Sequence, residues 1–353
     1  MPADPGSTDP VPTLRASGAS RAIEVLGDAW VLRLLRSAFR GARRFGDFLT
    51  ELDVSRAVLS ERLERMVADQ LLEKVAPTRG HAHYRITERG LDLWGTLIAM
   101  WSWERDWGTG RQAPAHPQDR PRARPVHRRC GHETVPICTC AHCSVAINPF
   151  DTASIPSPRR PAQAGAMSTP AGADDTDRID SASESESQGM ARKRFRKSHS
   201  ADRSALPTLM RVFGDRWNSS IIAAALQGAR TFSDYERALA IGPTQLTDRL
   251  QELQALGMLR ARAYAGSRRE YRLTRAAIAS YPITLELMRW GDHWLWHGQI
   301  PLAVRHVPCG EVLRLQWRCS HCGGPIDRSG LAFDAPSPAR PSPKDRAPMP
   351  PPD

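Results

Sequence analysis

One stretch of this 353-residue chain occurs twice, and that repetition constrains the fold more than any other feature. With a shift of 187 residues and no gap, Gly27-Asp28-x-Trp30 falls on Gly214-Asp215-x-Trp217, and Phe45-x-Asp47 falls on Phe232-x-Asp234. Leu59-Ser60-Glu61-Arg62-Leu63 likewise meets Leu246-Thr247-Asp248-Arg249-Leu250, and Tyr84-Arg85-x-Thr87 meets Tyr271-Arg272-x-Thr274. The chain is two copies of one module, Arg21 to Trp107 and Ser204 to Trp294, each long enough to bury its own core.

Within copy one, Ile23, Leu26, Trp30, Leu34 and Leu35 recur at helical spacing and predict one helix over residues 20–39, stopped by Gly41. Phe45, Phe48 and Leu52 give a short second helix, and Asp53-Val54 is the turn. Ser55 is a good N-cap for a third helix to Asp69, with Leu59, Leu63, Met66 and Val67 inward. Two β-prone segments, residues 72–75 and 83–87, joined by Pro77 to His81, read as a hairpin. Helix, helix, turn, helix, hairpin is the order of a winged helix-turn-helix, so the expected class is mainly α with small β-hairpin wings.

The segments Leu91 to Trp107 and Ile278 to Trp294 are helical and apolar on more than one face. Gly95 in one and Pro282 in the other predict two helices meeting at a kink. So much apolar surface implies self-association through these Trp-rich helices, either between the copies as an intramolecular pseudo-dimer or between chains.

The formal charge of +11 and pI near 9.8 favour a polyanionic partner, double-stranded DNA first. The N-terminus lacks the pattern of a signal peptide and no apolar stretch is long enough to span a membrane, so the expected location is the cytoplasm. Residues 1–18, 149–203 and 332–353 are expected to be a disordered arm, linker and tail. The basic run Arg192 to Lys197 in the linker could touch phosphates, but a solvated tract is the simpler reading.

The residues carry a resemblance. Gly27-Asp28-x-Trp30, Arg43-Arg44-Phe45-x-Asp47-Phe48, Leu59 to Leu63, and Tyr84-x-Ile86-Thr87-x-x-Gly90 resemble the HxlR-type winged helix-turn-helix regulators of bacteria. Copy two departs from the pattern at Ala277, which stands where Gly90 would be, and at Thr247-Asp248 in place of Ser60-Glu61. The resemblance implies a transcription regulator, by default a repressor, that binds promoter DNA as a dimer of modules and leaves room for a small-molecule effector. Some such regulators sense oxidants through a Cys ahead of the first helix, but the matching positions here are Ser17 and Ser204.

In such a regulator the third helix enters the major groove and the wing grips the backbone. The candidate DNA contacts are Ser55, Arg56, Ser60 and Arg62, with Arg79 and His81 on the wing, and Thr244, Gln245, Thr247 and Arg249, with Arg268 and Arg269. Arg pairs with guanine and Gln with adenine, so unequal helices imply unequal half-sites. For Arg62 and Arg249 the alternative is a structural ion pair within the helix.

A second element is also duplicated: His127-x2-Cys130-x9-Cys140-x2-Cys143 and His306-x2-Cys309-x9-Cys319-x2-Cys322, with a shift of 179 residues. The spacing suits a structural Cys3His zinc site in each copy, with His142 and His321 as rival ligands and a reduced dithiol as the alternative. Cys138 has no counterpart, Trp317 standing in its place. The expected order is a winged domain over 19–110, a cysteine-rich element over 124–148, a second winged domain over 204–298 and a second element over 303–327. The rival functions are a zinc- or thiol-dependent enzyme or redox sensor and a protein–protein adaptor, but the clusters lie outside the repeated cores with no recurring carboxylate to act as base.

Overall fold

The computed structural model describes residues 17–52, 54–76, 82–108, 125–157, 207–265, 268–296 and 302–333. Copy one begins with two helices where periodicity predicted one: α1 (Gly18–Leu26) and α2 (Ala29–Phe39). The break is written by Gly27-Asp28, because the Asp28 carboxylate accepts from Trp30 N at 2.8 Å and starts a new helix. Then follow α3 (Phe45–Leu52), α4 (Arg56–Ala68), the antiparallel wing β1 (Leu72–Val75) and β2 (His83–Ile86), α5 (Glu88–Leu91) and α6 (Trp94–Trp107). Gly41, at φ +107°, ends α2 as expected.

The first cysteine element supplies β3 (Val126–His127), β4 (His132–Glu133), β5 (Pro136–Cys140) and β6 (Thr152–Pro156). Structure therefore runs past the expected linker start at Pro149, since β6 finds a partner strand far along the chain. Copy two repeats the winged pattern with α7 (Pro207–Val212), α8 (Arg216–Leu226), α9 (Phe232–Leu239), α10 (Pro243–Ala255), β7 (Leu259–Ala265), β8 (Arg268–Leu273), α11 (Arg275–Ala279) and α12 (Tyr281–Trp294). Its cysteine element contributes β9 (Leu302–His306), β10 (Leu315–Cys319), β11 (Pro325–Ile326) and β12 (Leu331–Ala332). No helix among the described residues is long and apolar enough to cross a membrane.

The two modules pack together about an internal pseudo-twofold axis. Asp28 bridges its own counterpart Asp215, and the adjoining glycines let the backbones meet. A Cβ added at Gly27 would lie 2.8 Å from Arg216 Cα, and one at Gly214 would lie 2.8 Å from Ala29 Cα. Equivalent tryptophans reach across the axis: Trp103 Nε1 donates to the Ala276 carbonyl at 2.7 Å, and Trp290 Nε1 donates to the Arg89 carbonyl at 2.9 Å. The Trp-rich helices thus carry the docking, as expected, but α12 lies chiefly along α1 rather than α6. Its Gly291 sits so close that a Cβ there would be 2.0 Å from the Gly18 carbonyl oxygen.

The expected kink at Gly95 lies slightly earlier, at Asp92-Leu93 between α5 and α6. Gly95 serves close approach instead, because a Cβ on it would meet the Glu286 carboxylate carbon at 2.5 Å. Glu286, on α12, is buried and accepts from Arg289 Nε at 2.9 Å and Trp317 Nε1 at 2.8 Å. Arg289 then grips Asp92 of copy one through Nη1 at 2.9 and 3.1 Å, so a paired polar chain ties the copies together on this side of the axis.

Two interface carboxyls are pushed up to about 7 by burial: Glu104, whose partial relief comes from the Leu209 and Thr208 N–H groups, and Asp292, relieved by the Gly18 N–H. Each holds its proton to higher pH in the folded protein than in the unfolded chain. Stability from these groups is therefore greatest at acidic pH and is lost as pH rises from about 4.5 to about 7. Melting temperature is expected to fall between about pH 4.5 and pH 7, with Glu104→Gln flattening the curve in thermal scans.

Candidate nucleic-acid interface and metal centres

The helix after the turn, fourth in each copy once the first expected helix divides in two, is anchored by its apolar face, Leu59, Leu63 and Met66 on α4 and Leu246, Leu250 and Leu253 on α10. That anchoring turns the first helical turns to solvent. On α4, Ser55 accepts from Val58 N at 3.4 Å as the N-cap, and the exposed Arg56 guanidinium lies 5.6 Å from the Phe45 ring centroid. Ser60 is half-buried and donates to Glu64 at 3.3 Å.

On α10 the N-cap is Gly242 and Pro243 takes the first turn, so the helix opens without a side-chain cap. Thr244 and Thr247 are exposed, the latter donating to the Pro243 carbonyl at 2.9 Å. Gln245 is half-buried at the register of Val58 in α4. The exposed first turns of α4 and α10 therefore differ both in their caps and in their side chains.

Arg62 and Arg249, further along the same helices, are engaged in ion pairs. Arg62 Nη1 pairs with Asp28 Oδ2 at 2.9 Å, while Arg249 Nη2 pairs with Asp215 Oδ2 at 2.9 Å and Nη1 with Glu252 Oε2 at 2.8 Å. Arg62 thus ties α4 to the carboxylate that caps α2, and Arg249 ties α10 to the one that caps α8, which is the structural ion pair weighed against a base contact, made between helices rather than within one. The repeated Gly-Asp and Arg-Leu motifs are thus one structural device. Replacing both arginines by Met is expected to lower unfolding free energy by about 1–2 kcal/mol in denaturant melts while base preference in binding-site selection stays unchanged.

Arg268 and Arg269 begin β8 as exposed wing residues, whereas Arg79 and His81 lie outside the described residues. The copy-two wing also exposes Arg260 and Arg262 on β7, which were missed although an Arg-x-Arg pair on a strand places both on one face. Each wing is held to its module by a backbone bond, Tyr84 N to Arg43 O at 2.7 Å and Tyr271 N to Arg230 O at 2.7 Å.

The eight expected metal ligands gather into two clusters, but not within copies. His127 and Cys130 meet Cys319 and Cys322, while Cys140 and Cys143 meet His306 and Cys309. Strand pairing produces this exchange. β5 pairs antiparallel with β10 so that Cys138 faces its own counterpart Trp317, putting a pseudo-twofold axis through that pair. β3 pairs with β12, and β6 with β9, in matching register.

The cluster dimensions suit a tetrahedron. Cys130 and Cys319 Sγ are 3.9 Å apart, as are Cys140 and Cys309 Sγ, near the roughly 3.8 Å edge expected for two sulfurs each about 2.3 Å from one zinc. His127 Nδ1 lies 3.4 Å from Cys130 Sγ and 3.3 Å from Cys322 Sγ, and His306 Nδ1 lies 3.3 Å from both Cys143 and Cys309 Sγ. Both imidazoles are buried. Burial opposes thiolate formation at Cys319, but the Thr134 hydroxyl and the backbone N–H groups of Cys322 and His321 outweigh it and bring the thiol down to about 6.

Of the rival histidines, His142 is exposed and 4.0 Å from Glu311, whereas His321 stacks on His132 with centroids 3.7 Å apart and forms a third, more exposed group with His132 and Cys130. Cys138 lies outside both groups of four, its thiol pushed up by burial and by nearby Glu286, so it packs as a small apolar residue.

The chain matches the HxlR-like helix-turn-helix family at residues 25–112 and 212–299. Over 145 residues it is 32% identical to the uncharacterized HTH-type transcriptional regulator Rv3095 of Mycobacterium tuberculosis H37Rv, covering 39% of this chain and 84% of the relative. The uncharacterized HTH-type transcriptional regulator YvaP of Bacillus subtilis 168 is 31% identical over 87 residues, covering 24% of this chain and 81% of the relative. The solved structure of PA1607 is 29% identical, covers 36% of this chain and 85% of its own, and has a TM-score of 0.32.

Proposed function

Because this chain belongs to the HxlR-like helix-turn-helix family and is a DNA-binding transcription regulator, we propose that one chain reads two unequal promoter half-sites as an intramolecular pseudo-dimer. The observation that carries this reading is the internal pseudo-twofold through Asp28 and Asp215, which relates α4 to α10. The base-reading set is Ser55, Arg56 and Ser60 on α4 and Thr244, Gln245 and Thr247 on α10, with Arg268, Arg269, Arg260 and Arg262 for phosphates. Arg79 and His81 belong to the same reading for the copy-one wing. The chain works in the cytoplasm, and the cleft beside Trp94, Arg289 and Trp317 is where an effector would enter.

Selection of promoter fragments by the purified protein at about 150 mM salt tests this. The expected result is a retained fragment with two dissimilar half-sites. No retention above competitor DNA would favour a protein–protein adaptor.

The same reading assigns structural zinc to the two Cys3His clusters. Their donor chemistry, three thiolates and one Nδ1 at tetrahedral separations, supports it, and four protein ligands leave no open position for catalysis. Protein purified without chelator should carry about two zinc ions per chain by elemental analysis. Less than about half an equivalent would favour a dithiol.

A further inference from the structure

Resting on that assignment of zinc, we propose that each ion is a crosslink between the two repeats, held by two ligands from each, so that metal uptake fastens the two DNA-reading modules into one body. The ligands of one site are His127 and Cys130 with Cys319 and Cys322, and of the other Cys140 and Cys143 with His306 and Cys309. Neither repeat holds a complete set of neighbours. His127 and Cys130 face thiols nearly two hundred residues away, Cys130 and Cys319 being separated by 189 positions. A clip that closes so long a loop removes much of the freedom of the undocked chain, which gives the crosslink its leverage.

Strand pairing sets the exchange. β5 and β10 pair from Pro136 with Cys319 through Cys140 with Leu315, bringing the C-x-x-C turn of each repeat to the far end of the other's strand. Thr134 and Ser320 seal the junction, as Ser320 N donates to Thr134 Oγ1 at 3.0 Å and Val135 N donates to Ser320 Oγ at 2.9 Å. The crosslink is also joined to the module interface. Trp317, two residues before the ligand Cys319, donates to Glu286, which pairs with Arg289, which grips Asp92 of copy one. Fixing the cysteine elements therefore fixes the seating of α12 against copy one.

Two fourfold variants of the full chain decide how the ligands are shared. The first combines His127→Ala, Cys130→Ser, Cys319→Ser and Cys322→Ser, with the mirror set His306→Ala, Cys309→Ser, Cys140→Ser and Cys143→Ser as its control. The second combines His306→Ala, Cys309→Ser, Cys319→Ser and Cys322→Ser. With shared sites, the first variant and its mirror each keep one complete tetrad and should hold about one zinc per chain, whereas the second loses half of each tetrad and should hold almost none.

The reverse pattern, with wild-type protein holding two ions, would overturn the crosslink while leaving the zinc assignment intact. Absence of zinc from the first variant and its mirror alike would also overturn it. A wild-type protein without zinc would remove the assignment on which the crosslink rests, and the crosslink with it.

Discussion

Replacing Trp290 with Ala is expected to lower the unfolding free energy by about 3–5 kcal/mol and to separate the two modules. The indole is fully buried, donates to the Arg89 carbonyl of copy one and lies under the Arg89 guanidinium, 5.2 Å from ring centroid to cation. Removing it leaves a cavity at the module interface and an unpaired carbonyl, two costs that a surface substitution does not bring. Denaturant melts of the variant should lose the single cooperative transition. A wild-type melt would mean that the interface does not depend on this anchor. Trp103→Ala should behave similarly, since Trp103 makes the equivalent bond to Ala276 and packs edge-on against Phe213 with ring centroids 6.1 Å apart.

The double variant Arg56→Ala with Gln245→Ala should bind the selected promoter fragment more weakly by about 2–6 kcal/mol, with folding unaffected. Each side chain contributes about 1–3 kcal/mol if it reads a base edge, and the two sit on different helices with no shared partner, so their losses should add. Arg56 is exposed, with its guanidinium 5.6 Å from the Phe45 ring centroid, so its removal takes little from the core. Affinity unchanged in a binding titration at fixed salt would remove both residues from the reading surface.

Much of the fold was legible in the sequence because repetition carries its own register. The winged order, the two modules and all eight candidate ligands followed from spacing alone. How the ligands divide between sites did not, for a physical reason: two copies with identical H-x2-C and C-x2-C halves satisfy a tetrahedron equally well within or between copies, and only the antiparallel pairing of β5 with β10 decides. The break at Gly27-Asp28 was hidden because the apolar period runs through it unchanged. Its signal was the Asp two residues before Trp30, a cap motif inside an apparently continuous helix.

Arg62 and Arg249 show the limit of reading side chains by type. An arginine on a recognition helix suggests a base contact, yet the second element of the device, the Asp28 or Asp215 carboxylate, comes from a helix 34 residues earlier in either copy. Both partners recur with the repeat, so recurrence could not separate a structural pair from a DNA contact. Strand β6 was likewise missed because its partner β9 lies across the intervening module, beyond any local pattern.

Sedimentation of the 39.1 kDa chain, alone and with a retained promoter fragment, tests the central claim most directly. The account predicts a compact monomer at about micromolar concentration and one chain per fragment occupying both half-sites. A tight dimer that persists on dilution, or two chains on each fragment, would contradict it.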